Sequence, residues 1–493
     1  MFSQVAVHCV SVEFTVVQAP DVGYATLSQH VGLPMNFSVQ NLLQPIVDGM
    51  SAVLFYDVFG FPFIVLWLVL AAIFFTIYLG GVNFRLFGHA LQIVSGKYDH
   101  GDAKGEVNHL QALFSAIAAT VGLGSIAGVS VAVAVGGPGV VFWIVVMGMF
   151  GMATKFAEVT LSMCYREVDS NGKVFGGPFQ YIKKGLEDIQ LPKLGKFLAV
   201  LFAIFCLGGA LGGGNMFQSN QAVKVMVTTF PSLEGYGWAV ALAFTALVFF
   251  VLVGSIQRIA RVAEKISPLK GILYLICALI IIVANSDKLP DTITLIFNDA
   301  FTGDAAAGGF IAMLAMAFKR ASFANEAGLG SAPIAHAAAR TDEPVREATV
   351  ALLEPFFAAM IALLTGLVVT ITGAYLGGSI DDGVAITAKA FATVSPWFTV
   401  MLAVNVLIFA YSTTIGWSYY GEIAWSYLFG RNHIRLYQCV FCAATFLGGV
   451  LHFGIVLDFS DLLILGMALP NLIAVFLLRG RIRSEMKKYM ASL

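Results

Sequence analysis

Thr120-Val-Gly-Leu-Gly-Ser-Ile-Ala127 and Glu326-Ala-Gly-Leu-Gly-Ser-Ala-Pro333 carry the same Gly-Leu-Gly-Ser run, 206 residues apart, each inside an apolar stretch. A glycine weakens a helix by about 1 kcal/mol relative to alanine, and Pro333 withdraws a further backbone donor, so both stretches are expected to unwind within the membrane. Unwound backbone is costly in lipid unless it lines a cavity or holds a ligand. One such motif could equally be a close helix crossing, where small residues are common. Two of them at corresponding places, with Glu326 beside the second, point to a binding site between the two repeats of a membrane carrier.

The rest of the chain fits that reading. Of its 493 residues 58% are hydrophobic and 12% charged, which excludes a large soluble domain. Windows of about 20 apolar residues place eleven spans near 58–79, 108–135, 140–163, 197–226, 237–255, 267–285, 308–334, 348–374, 396–427, 436–453 and 460–478. The two interruptions fall in the second and seventh spans, which run in opposite directions. The expected fold is therefore an all-α polytopic membrane protein with eleven transmembrane helices. Repeats 108–285 and 308–478 form a five-plus-five inverted pair with two broken helices, preceded by an extra helix at 58–79. Residues 1–57 are expected to be extracytoplasmic or interfacial, with Leu42 to Tyr56 along the membrane surface, and 479–493 to be a basic cytoplasmic tail.

Lysine and arginine favour the cytoplasmic side. With the N-terminus outside, 22 of the 28 basic residues lie in inside segments, Arg258, Arg261, Lys265 and Lys270 counted together as one loop, and the outside segments hold only Lys288. The expected location is a bacterial-type inner membrane, with the C-terminus in the cytoplasm.

Longer stretches then become recognisable: Gln111 to Val129, Gly148 to Leu161, Gly176 to Ile182, Arg320 to Arg340 and Gly416 to Glu422. They resemble the alanine or glycine:cation symporter family over about residues 60 to 485. That resemblance implies a leucine-transporter-type fold and uptake of a small neutral amino acid with sodium, or alternatively a proton. The family usually reads T-V-G-T-G-N-I-A-G at the first break, where this chain has Leu123 and Ser125. A substrate slightly larger or more apolar than alanine is the corresponding expectation.

An amino-acid zwitterion needs donors for its carboxylate and acceptors for its ammonium. The half-helix after Gly122 offers the N–H groups of Leu123, Gly124 and Ser125 at a positive dipole end. Asn215 and Gln218, one turn apart, bring amides into an otherwise apolar span, either toward substrate or as bonds between helices. Phe217 and Phe323 are candidate covers, Trp417 a candidate floor, and Gly421 a further lining position. By resemblance, the sodium ligands are the carbonyls of Ala118, Val121 and Ala410 with the hydroxyls of Thr413 and Thr414. Threonines bonding to their own helix are the bland alternative.

Ionisable residues inside spans are expensive and call for partners. Lys155 and Glu158 are expected to neutralise one another. Glu326, with Arg320 near it, is assigned to holding the unwound segment, gating or coupling, and Glu422 to closing the cytoplasmic route. A channel or a membrane-embedded enzyme is the distant alternative. The polar residues cluster at midplane rather than along a pore, and no paired acid and base, nucleophile motif or metal cluster stands out. Lipid and an amino acid are the expected partners, without nucleic acid, and the sequence leaves the oligomeric state open.

Overall fold

Helix starts and stops follow the local chemistry. Asn108 caps the helix α2, His109–Thr120, in a capping box with Gln111, and α2 stops where Gly122 adopts extended backbone. In this computed structural model residues 49–98, 103–169, 174–252, 256–302 and 309–493 are described. The expected surface segment from Leu42 lies outside them as far as Asp48. Ahead of α2 comes α1, Phe63–Tyr78. After the break the chain re-enters a helix as α3, Ala127–Gly136, bent by 60° from α2.

The elements that surround the breaks are α4, Val140–Tyr165; α5, Pro192–Leu211; α6, Phe217–Thr229; α7, Gly237–Leu252; and α8, Ile256–Ala284. Then follow α9, Gly309–Asn325; α10, Ala332–His336; α11, Pro344–Val350; and α12, Leu353–Ile371. The last are α13, Pro396–Phe429; α14, Ile434–Val450; α15, Phe453–Gly466; and α16, Ala468–Leu477. Among the described residues six helical runs are long and apolar enough to cross a membrane, and α2 with α3 makes a bent seventh.

The second break is non-helical from Glu326 to Ser331. Gly328 and Gly330 take φ +91° and +81°, a left-handed backbone that glycine adopts without strain. Glu326, at φ +53°, holds that conformation without being glycine, and such a residue persists only where its surroundings fix it. Between α5 and α6 the run Gly212–Met216 forms a π-helical turn, a local widening common at functional sites. Trp417 packs directly on it: a Cβ on Gly214 would lie 2.2 Å from the indole, so only glycine fits there.

Packing brings the breaks together. α4 lies against α1, α9, α11 and α12, while α13 lies against α2, α5, α6 and α8, and α8 also meets α2 and α12. Both interruptions are thus enclosed by protein, as unwound backbone in a membrane must be.

Candidate functional site

The two breaks meet through Glu326. Its Oε2 accepts from Thr120 Oγ1 at 3.3 Å and from Ser331 Oγ, and its Oε1 accepts from Trp417 Nε1 at 3.1 Å. One carboxyl group therefore joins the end of α2, the far side of its own break and α13. These bonds hold the side chain of the one residue in the break that is left-handed without being glycine.

On the other side of the first break, Leu123 N donates to Gln218 Oε1 at 3.1 Å, and Gln218 Nε2 donates to Gly213 O at 2.9 Å. Gln218 thus occupies the first half-helix N–H assigned to a carboxylate. Ser125 Oγ is buried with no partner, so the hydroxyl beside it stays available. Asn215 Nδ2 donates to Phe441 O of α14 at 2.8 Å, the bond between helices, while its Oδ1 has no partner. Phe217 and Phe323 face each other with ring centroids 5.2 Å apart, and a Cβ on Gly124 would lie 2.7 Å from Phe323. Gly421 sits against Tyr437, whose hydroxyl would lie 2.2 Å from an added Cβ, so it serves the crossing of α13 and α14.

Arg320 does not meet Glu326. Its Nη2 donates to Asp461 of α15, which Lys319 Nζ also approaches at 2.8 Å. Glu422 lines a cavity of about 200 Å³ with Gln180, Tyr419 and Arg431. Lys155 Nζ lies 3.4 Å from Glu354 of α12, and Glu158 Oε1 accepts from Asn471 Nδ2 at 2.5 Å. Lys155 lies close enough to Glu158 to act on its charge, as expected, but the direct contacts of both go to other helices, Glu354 of α12 and Asn471 of α16.

Sequence reasoning missed a buried polar chain. Glu347 of α11 receives His109 and, at 2.6 Å, His336, and His336 Nε2 lies 3.5 Å from Glu354, which shares the single hydroxyl proton of Thr120 with Glu326. Its signal was available: Glu347 and Glu354, seven residues apart in an apolar span, needed partners.

Of the five carried-over cation ligands, Ala118 O accepts from Thr413 Oγ1 at 3.0 Å, and Thr414 Oγ1 is buried without a partner. Lys270, expected in a cytoplasmic loop, is instead buried in α8. Its Nζ donates to Val121 O and to Ser412 Oγ, both at 2.7 Å, with Ala118 O at 3.3 Å and Ile117 O at 3.5 Å. Positive-inside counting reads residue type and not depth, which is why this lysine was misplaced.

Two half-helices facing one another inside a helical bundle, with unfilled polar atoms between them, define a secondary transporter. Its fold is shared with the crystal structure of MhsT in complex with L-phenylalanine, at TM-score 0.55 and 15% identity over 76% of this chain and 89% of that one. The sodium:alanine symporter family model matches residues 40–493, and the chain belongs to that family. It is 39% identical to the sodium/alanine symporter AgcS of Methanococcus maripaludis, over 87% of this chain and 94% of that one. The probable sodium/glutamine symporter GlnT of Bacillus subtilis is 32% identical, over 78% and 79%. It is a multi-pass membrane protein and a transporter, not an enzyme.

Proposed function

We propose that this chain imports a small neutral amino acid together with a cation by alternating access, its eleven spans arranged as a five-plus-five inverted repeat with the N-terminus outside. The observation that carries the reading is the junction at Glu326, which ties both interruptions to α13. A site built from two unwound segments changes shape when either half moves, which is what a carrier that exposes one site to alternate sides requires. The substrate carboxylate is assigned to the N–H groups of Leu123, Gly124 and Ser125, displacing Gln218. Phe217, Phe323 and Trp417 enclose its side chain, and Asn215 Oδ1 supplies an acceptor. Bound cation and substrate each raise the other's affinity by the same factor.

AgcS carries alanine in its name and GlnT glutamine, so family membership leaves room for the larger side chain that Leu123 and Ser125 favour. The test is uptake of radiolabelled alanine, glycine and glutamine into proteoliposomes under an inward sodium or an inward proton gradient. Accumulation of one of them under either gradient is expected. Equal counts with and without both gradients, for all three, would overturn cation-coupled uptake.

A further inference from the structure

The oxygens at the end of α2 form a cation site by their chemistry. When a helix unwinds, the carbonyls of its last turn lose their N–H partners and carry the negative end of its dipole. Here these are Ala118 and Val121, with the hydroxyls of α13 opposite, while Ile117 O keeps the N–H of Val121 at 3.0 Å. The resemblance assigns sodium to this place, with Ala118 and Val121 among its ligands.

The chain itself puts a positive charge there. Lys270, 1% exposed, aims its ammonium into the cluster. An ammonium has three protons to give, and the two shortest contacts, at 2.7 Å, go to Val121 O and Ser412 Oγ, with Ala118 O next at 3.3 Å. Phe409 presents its ring face 4.8 Å from Nζ, a further cation-binding contact. Among the described residues Lys270 has no carboxylate partner, and its polar contacts are the unwound carbonyls and one hydroxyl. The Thr413 hydroxyl is spent on Ala118 O. Of the oxygens assigned to sodium, Val121 O is thus held by the ammonium and Ala118 O is shared between the ammonium and Thr413. A sodium ion among them would stand within a few ångströms of a like charge. The donor set does not fit the metal ion.

We propose that the Lys270 ammonium is this transporter's built-in replacement for the sodium ion at the first break, ordering the unwound segment without binding sodium there. The proposal rests on the transporter reading of the same site. It turns one exchangeable ligand into a tethered one, so the break stays organised in sodium-free solution.

The experiment measures sodium directly, on the full-length protein in detergent without amino acid. Binding of radioactive sodium and the melting temperature are recorded in sodium chloride and in choline chloride at equal ionic strength, for wild type, Lys270→Met, Lys270→Gln and Thr414→Ala. Wild-type melting is expected to be the same in both salts. Lys270→Met and Lys270→Gln are expected to melt lower in choline, to recover in sodium and to gain a single sodium ion per molecule. If both fold and neither gains sodium, the proposal fails. Should neither variant fold, the wild type decides. Sodium bound by the wild type and lost in Thr414→Ala overturns the proposal, and wild-type sodium binding that is absent or unaffected by Thr414→Ala upholds it. Failure of the amino-acid reading would appear separately, as no wild-type uptake in proteoliposomes, and would not alter these outcomes.

Discussion

Replacing Arg320 by methionine removes the guanidinium that α9 presents to α15, and replacing Asp461 by leucine removes the carboxylate it faces. The two side chains are 4% and 1% exposed. Breaking a buried ion pair from one side leaves the other charge uncompensated, at about 3–5 kcal/mol. Asp461 also holds Lys319 at 2.8 Å, but Lys319 is 23% exposed and can turn outward, so its loss adds about 0–1 kcal/mol. Asp461→Leu should therefore be as damaging as Arg320→Met or slightly more. The double variant exchanges the pair for apolar groups of similar size, which is often neutral or stabilising. Here the exchange also removes the buried Nε and Nη1 of Arg320, which have no protein partner. The double variant is expected to lie near wild type, giving a coupling energy of about 6–10 kcal/mol, the sum of the two single costs, while each single variant shifts the unfolding equilibrium by roughly two to four decades. The assay is unfolding in mixed micelles with increasing dodecyl sulfate, followed by tryptophan fluorescence. A double variant destabilised by the sum of the two singles would refute the reasoning.

Glu326→Gln keeps the shape of the side chain but replaces one of two acceptor oxygens with a donor, opposite Trp417, Thr120 and Ser331. An unmet buried bond costs about 1–3 kcal/mol, so uptake should fall about ten- to hundredfold while the amount of folded protein in the membrane, measured by fluorescence-detected gel filtration, stays close to normal. Leu123→Thr with Ser125→Asn restores the family's usual polar groups at the first break. Competition for uptake should then shift toward alanine over larger neutral amino acids, and an unchanged order of preference would remove the size argument.

Much of this was legible in sequence because glycine pairs weaken a helix locally and proline is at home in a helix's first turn: the structure stops α2 at Thr120 and α9 at Asn325, and Pro333 opens α10. Glu326 was legible as well, since a carboxyl at such a break needs donors. Its donors were not, because Thr120 is 206 residues away and Trp417 lies 91 residues further on. The partner of Arg320 was hidden for the same reason: Asp461 is distant in the chain, and only the packing of α9 on α15 joins them. Lys270 illustrates a different limit. Two residues after Pro268 it reads as the end of a loop, and only the rotation of α8 against α2 shows which way the side chain points.

The Gln218 amide over Leu123 N has a consequence for the journey home. A carrier that has delivered its cargo must swing back empty, and bare N–H groups in a dry interior would make that swing slow. In the proposed cycle an amide takes the seat when the passenger leaves and yields it on the next boarding, so the idle half carries no unmet donor at Leu123. Net import, and not merely swapping of one amino acid for another, is what such a placeholder favours.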